Sequence, residues 1–218
     1  MTLPSSKRYP TLEAEELLWS QGVRPIAGVD EAGRGPLAGP VIASAVILPE
    51  VFDNFLQQSL ALLDDSKKLR PKVREELFII ITTHPEICWS VGEASVEEIG
   101  DFNILRATGL AMRRALLALK RKPAHALVDG LPVPDLPVPQ TALVRGDGLS
   151  LSIAAASVIA KVTRDRIMEE LDRAFPHYGF ARHRGYGTQE HLKQLSHYGP
   201  CQHHRRGFRP VDQAAFRF

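Results

Sequence analysis

Only two cysteines, Cys88 and Cys201, occur in 218 residues. That scarcity excludes a disulfide framework and a four-thiolate zinc site, and it suits a reducing compartment. No apolar run approaches the roughly 20 residues needed to span a bilayer, and residues 1–10 lack the apolar centre of a secretory signal. A cytoplasmic protein with no membrane partner is therefore expected. Internal repeats and low-complexity tracts are also missing. What is there is ordinary for a folded chain: 44% apolar and 24% charged residues, which excludes wholesale disorder. The length fits one domain with a full core and a small appendage. The formal net charge of +2 conceals an asymmetry. Residues 161–218 carry 11 Lys and Arg against 6 Asp and Glu, with six of the eight histidines, whereas residues 1–160 carry 16 against 19. A basic C-terminal quarter is compatible with a polyanion partner, and equally with a solvated helical surface.

Residues 1–22 place Leu12, Leu17, Leu18 and Trp19 among Glu13, Glu15 and Glu16, the pattern of a short amphipathic helix. Residues 26–29 are a short apolar strand ending at Asp30, and residues 41–48 form a β-branched, almost wholly apolar strand of a sheet interior. Pro71 opens a helix to about residue 82, with Val73, Leu77, Ile80 and Ile81 as its core stripe. Residues 87–93 form a third strand. Ser95-Val96-Glu97-Glu98 is a capping box for a short turn, and Asn103 caps a helix to Leu119 with Leu105, Leu110, Leu116 and Leu117 as its apolar face. Residues 124–128 and 141–144 are strands ending near Asp129 and before Arg145-Gly146-Asp147; the four prolines of residues 131–139 bar helix or interior strand there. Residues 150–175 form a long Ala/Ile-rich helix, and residues 188–197 a last helix stopped at Gly199-Pro200. The order implies a mixed sheet with helices on both faces. The expected divisions are an N-terminal helical segment at 1–24, an α/β body at 25–176 and a C-terminal helical extension with its tail at 177–218.

Asp30-Glu31, Asp129 and Asp147 each follow an expected strand closely. Ligands of open α/β sheets collect at the carboxyl ends of strands. Carboxylates gathered there repel one another by on the order of a kcal/mol per pair, and a divalent cation is the usual remedy. Hard oxygen ligands without neighbouring cysteine or histidine favour Mg²⁺ or Mn²⁺ over zinc. A single Asp can end a strand in a turn with no further purpose. Two adjacent acids between an apolar strand and a glycine turn have no such account. The turn itself, Gly33-x-Gly35-x-x-Ala38, formally matches a dinucleotide fingerprint, but that motif needs a helix to follow. Pro36, Gly39, Pro40 and the strand beyond deny one, and Pro40 stands where a P-loop would need lysine. What remains is a turn whose bare backbone, with Arg34, can approach a sugar–phosphate chain closely.

The run from Gly28 through Asp30, Glu31, Gly33, Arg34, Gly35 and Pro40 to Val41 resembles the signature of type 2 ribonuclease H, bacterial ribonuclease HII. Asp65-Ser66-Lys67-Lys68-Leu69, Val128-Asp129-Gly130, Gly146-Asp147, the stretch from Ser152 to Asp165 and Gly185-Tyr186-Gly187-Thr188 fit in the same order, so the resemblance runs from about Ile26 to Pro210. It implies a ribonuclease-H-like three-layer α/β fold with a central mixed five-stranded sheet and a C-terminal helical extension. It places a catalytic, metal-binding acidic quartet on Asp30, Glu31, Asp129 and Asp147. Asp165 is a rival for the fourth place, but it lies deep in a helix, where pairing with Arg164 or Lys161 is the alternative. The family's glycine–arginine–glycine element falls on Gly33, Arg34 and Gly35, and its substrate-sensing tyrosine on Tyr186. Ser66, Lys67 and Lys68 are read as phosphate contacts, with a solvated approach to the next helix as the alternative.

The implied activity is two-metal-ion endonucleolytic hydrolysis of RNA in RNA/DNA hybrids and at ribonucleotides embedded in duplex DNA, with Mg²⁺ or Mn²⁺ as cofactor and 5′-phosphate and 3′-hydroxyl ends as products. Ribose selection requires a bond to the 2′-hydroxyl, which the Gly33–Gly35 backbone can reach because no Cβ obstructs it at the two glycines. The Tyr186 ring could pack on the next, deoxy, sugar. A non-catalytic hybrid-binding module and a relative acting on DNA junctions are the rival readings. Lys193, His191 and Arg182 to Arg184 could line a duplex groove. Cys201-x-His203-His204 has no fourth ligand at the usual spacing, so a zinc site is not expected. Residues 213–218 loosely resemble a sliding-clamp peptide, with a frayed terminus as the alternative. The chain is taken as a monomer.

Overall fold

Five short apolar, β-rich runs become five strands: β1 (Ile26–Ala32), β2 (Val41–Ile47), β3 (Cys88–Ala94), β4 (His125–Asp129) and β5 (Gln140–Leu143). The computed structural model describes residues 9–64, 66 and 69–216. Each expected strand forms, with ends shifted by one residue at most except in β1, which runs on through Asp30 and Glu31 to Ala32. The strands lie in the order β3-β2-β1-β4-β5. β1 pairs antiparallel with β2, and β2 with β3, while β1–β4 and β4–β5 are parallel. The sheet is mixed, as expected. Because β1 and β4 run the same way and their pairing ends with Val29 opposite Val128, the next residues, Asp30 and Asp129, come side by side where the two strands part.

Helices cover both faces, which is why β2 is buried at every position. On one side lies α4 (Val96–Ala118), whose Ala107, Ala111, Met112, Ala115 and Leu116 pack on Ala27, Val29, Val41, Ala43 and Ala45. On the other lies α5 (Leu151–Ala174), packed with α2 (Asn54–Leu60) and α3 (Pro71–Thr83) around Val46. The short α1 (Glu13–Ser20) adds Leu18 and Trp19 to a cluster of Ile26, Leu127 and Ile153. Beyond α5 come α6 (Phe180–His183), α7 (Gln189–Tyr198) and α8 (Arg209–Ala215). They close on the turn after β1: Ala38 packs with Met168, Tyr178 and Phe180, and Leu37 with Leu195, Val211 and Ala214. Among the described residues, no helix is long and apolar enough to cross a membrane.

Several local expectations need correction. Of the expected apolar face Leu116 is buried, but Leu105 and Leu117 are 66% and 62% exposed, and alanines supply most of the face that α4 buries. Small residues are required because α4 touches β3 directly: a Cβ at Gly92 would lie 2.1 Å from the Ala111 carbonyl oxygen. α4 also breaks where two caps were read. Ser95 and Glu98 form the capping box of its first stretch, and Asn103, at φ 69°, restarts the helix by accepting the Leu105 and Arg106 amides. In α1 the polar face is not all solvated. Glu15 is buried, and its carboxylate accepts the Ser150 and Ser152 hydroxyls and the Ser152 amide at the N-terminus of α5, where a negative charge is favoured. Helices α2, α6 and α8 were not read from the sequence; Asp53, which accepts the Leu56 amide, is the cap that marks α2.

Gly28 sets the distance between β1 and α5. A Cβ there would stand 2.1 Å from the Ser152 carbonyl carbon and 2.3 Å from the Ile153 nitrogen. Both are backbone atoms of a buried helix and have nowhere to go. Gly28→Ala is expected to destabilise the protein by about 3 kcal/mol, read as a lower urea midpoint; an unchanged midpoint would show that α5 yields freely.

Candidate active site

Asp30 ends the apolar part of β1 and is only 5% exposed. Its carboxylate accepts the Glu31 amide at 2.7 Å and the Ser157 hydroxyl of α5. Burial pushes its pKa well above the ordinary carboxylate value, and the charges of Glu31 and Asp129 push it further in the same direction. Two hydrogen bonds act the other way and do not offset this. Ser157 Oγ lies 2.7 Å from Ser66 Oγ, so the loop that carries Ser66 is tied to the same point.

Asp129 ends β4, and its Oδ1 accepts the Gly146 amide at 2.6 Å. Gly146 opens a single 3₁₀ turn, Gly146–Gly148, entered through Arg145 in a left-handed conformation at φ 60°. Asp147 follows directly and is half-buried. The turn therefore brings Asp147 within one residue of the bond that holds Asp129. Glu31, Asp129, Ser66, Ser157, Lys161, Arg74, Arg164, the 33–35 turn and Tyr186 line one cleft of about 890 Å³; Asp30 lies buried behind it and Asp147 is not among its lining residues. Among the described residues, no three His, Cys, Asp or Glu side chains stand close enough to form a ready metal cage. The donor chemistry nonetheless fits a hard divalent cation: the cleft presents carboxylate and hydroxyl oxygens with no thiol or imidazole. A buried carboxylate held beside two others is a charge such a cation relieves.

Asp165 sits elsewhere in the charge pattern. Lys161 Nζ reaches its Oδ1 at 2.6 Å, Arg184 Nε approaches at 3.7 Å and Arg74 Nη2 approaches Oδ2 at 3.8 Å. The expected pairing with Lys161 forms, whereas Arg164 is not among the ion-pair partners of Asp165. Its guanidinium donates instead to the carbonyls of Pro40, Ala38 and Arg184, each at 3.0 Å. Ser157, Lys161 and Arg164 recur at i, i+4 and i+7, a polar stripe of α5 that lines the wall of the cleft.

The glycine turn leaves Glu31 beside Arg34, whose Nη1 lies 3.4 Å from Glu31 Oε1. Gly33 has φ +100°, and a Cβ there would meet Arg164 Nε at 2.1 Å. Gly35 faces Tyr186: a Cβ would stand 3.5 Å from Cε1 of the ring, which is 43% exposed. Lys67 and Lys68 lie outside the described residues. Of the basic groove expected near residue 190, Lys193 is exposed, but His191 is fully buried, Arg182 pairs with Glu190 and Arg184 with Glu169. These side chains are spoken for within the fold. Arg205, not singled out from the sequence, is also fully buried.

A family model described as Ribonuclease HII matches residues 27–211. A curated relative from Pelotomaculum thermopropionicum, named Ribonuclease HII, is 55% identical over 203 residues, covering 93% of this chain and 74% of the relative. Among solved structures, ribonuclease H2 from Pyrococcus horikoshii OT3 is similar with a TM-score of 0.75 at 27% identity, covering 88% of this chain and 97% of that one. The PCNA:RNase HII complex from Archaeoglobus fulgidus matches with a TM-score of 0.68 at 28% identity, covering 84% and 94%.

Proposed function

The chain belongs to the ribonuclease HII family, and from that premise we propose that Asp30, Glu31, Asp129 and Asp147 hold the divalent cations with which it hydrolyses RNA/DNA hybrids and cuts at ribonucleotides embedded in duplex DNA. The protein is a metal-dependent endoribonuclease. The observation that carries the site is the burial of Asp30 against Glu31 and Asp129, two strands brought together at their carboxyl ends. The chemistry that Mg²⁺ or Mn²⁺ supplies at such carboxylates is Lewis-acid activation of water and neutralisation of phosphoryl charge, leaving 5′-phosphate and 3′-hydroxyl ends. Around it the chain's own groups bind and orient the strand. The bare backbone of Gly33 and Gly35 approaches the ribose, where a 2′-hydroxyl can be bonded, and Tyr186 offers its half-exposed ring to the next sugar. Arg34, Lys161 and Arg74 lend positive charge to the cleft, and Lys67 and Lys68 are read as contacts to phosphate. Asp165, enclosed by Lys161, Arg184 and Arg74, is a structural acid in this reading. The C-terminal extension, described from residue 177 to residue 216, braces the substrate site.

Incubation with a duplex holding one ribonucleotide tests this. Cleavage at that nucleotide in Mg²⁺, and none in chelator, is expected. Asp30→Asn should lower turnover by about three orders of magnitude, the scale of several kcal/mol of lost charge stabilisation. The same variant should unfold at a higher temperature than wild type in metal-free buffer at pH 7. The sign follows from the raised pKa: a carboxylate penalised in the folded state destabilises it wherever it is ionised, and relief comes as pH falls through its folded pKa. Undiminished cleavage by Asp30→Asn, or cleavage in chelator, would remove the assignment.

The tail at residues 213–218 is read as a docking segment for a sliding clamp. Val211 and Ala214 anchor α8 to the body while Phe216 stands 92% exposed beyond it, and the Archaeoglobus fulgidus relative is complexed with PCNA. Arg217 and Phe218 lie outside the described residues. Phe216→Ala should abolish retention on immobilised clamp without changing cleavage of a short duplex; full retention would release the tail from this role.

A further inference from the structure

Arg205 is a cation with no carboxylate among its partners. It is fully buried, and its five N–H donors go to five carbonyl oxygens: Nε to Gly39 at 2.8 Å, Nη1 to Arg34 at 3.1 Å and Pro36 at 2.9 Å, Nη2 to Gly33 at 2.6 Å and Pro40 at 3.1 Å. A guanidinium has five N–H groups in one rigid plane, so all of its capacity is spent on one turn. The carbonyls of residues 33–40 are thereby gathered behind the turn on Arg205. The two backbones also meet in an isolated bridge, since Gly39 donates to the His203 carbonyl at 2.9 Å and Arg205 to the Leu37 carbonyl at 2.8 Å. Burial lowers the guanidinium to about 9, which leaves it charged at neutral pH.

The preceding residue does the same for the opposite wall. His204 Nδ1 accepts the Cys201 amide at 3.0 Å, so its proton is on Nε2. Nε2 stands 3.1 Å from His191 Nε2 and donates to it. His191 is thus protonated on Nδ1, which donates to the Tyr186 carbonyl at 2.9 Å. The three links leave no choice of tautomer. Burial lowers His191 to about 4 and His204 to about 3, so both imidazoles are neutral and the relay keeps its direction. The two walls meet where Tyr186 packs beside Gly35, and the Leu37 amide donates to the Gly185 carbonyl at 2.8 Å.

We propose that the consecutive residues His204 and Arg205 are positioning residues for ribose recognition: Arg205 holds the shape of the 33–40 turn, and His204, through His191, holds Tyr186 at its distance from that turn. This rests on the ribose-binding reading of the turn and of Tyr186, and is independent of the cation site. The C-terminal segment acts here by shaping the ribose subsite from behind, through groups that the strand itself never touches.

The test is equilibrium binding, by fluorescence anisotropy in chelator, of two labelled duplexes that differ by a single central 2′-hydroxyl. The readout is the ratio of the two dissociation constants, which cancels any general loss of affinity for phosphate. Arg205→Lys keeps the charge but not the planar fork, and should lower the ratio about tenfold, the worth of one or two hydrogen bonds. His191→Leu should lower it similarly, while His191→Asn, which retains a donor near the Nδ1 position, should restore most of it. Thermal unfolding establishes that each variant is folded; should Arg205→Lys not fold, the two His191 variants decide. A wild-type ratio in folded Arg205→Lys or His191→Leu would overturn the proposal. A ratio of one in wild type would overturn it together with the ribose subsite, without touching the cation reading, which cleavage tests separately.

Discussion

Everything at the site follows from parallel pairing of two buried strands that carry carboxylates where their pairing ends. β1 and β4 run side by side in the middle of a sheet covered on both faces, so neither Asp30 nor Asp129 can move away from the other without breaking a ladder of backbone hydrogen bonds. The apolar core that stabilises the sheet also strips water from Asp30. Charge repulsion at that point is a cost that the fold carries on behalf of function.

Around this fixed point the structure is arranged to hold backbone rather than side chains in place. Gly28 admits α5 close to β1, and α5 then delivers Ser157, Lys161 and Arg164 to the cleft along one stripe. Arg164 and Arg205 together gather the carbonyls of the turn that follows β1. A buried charge satisfied wholly by carbonyl oxygens escapes most of the penalty of an unpaired ion, because each oxygen carries partial negative charge aimed at it. The result is a loop rich in glycine, and therefore intrinsically mobile, fixed from behind by two rigid planar groups.

The large-scale organisation was legible in the chain. Strands such as residues 41–48 announce themselves by β-branched apolar runs, and the acids at their ends fall where ligands of open sheets collect. Asn103 and Ser95 were both readable as caps because capping depends on local hydrogen bonds. What escaped depends on contacts between distant segments. Leu116 of α4 was placed correctly, but Leu105 and Leu117 were not, because close approach to Gly92 favours alanine over bulk. Glu15 looked solvated until Ser150 and Ser152 were brought to it. Arg205 gives no sign of its role in sequence, since its partners are carbonyl groups that every residue possesses. The buried histidines were equally opaque: His191 reads as a groove residue in a basic stretch, and only its links to Tyr186 and His204 show it as an internal strut.

The central claim is that paired strand-end carboxylates form a cation site, and calorimetric titration of Mn²⁺ into metal-free protein tests it without any substrate. Wild type should bind the ion, and Asp129→Asn should bind it at least about tenfold more weakly. Absence of binding to wild type, or equal affinity in the folded variant, would contradict the account.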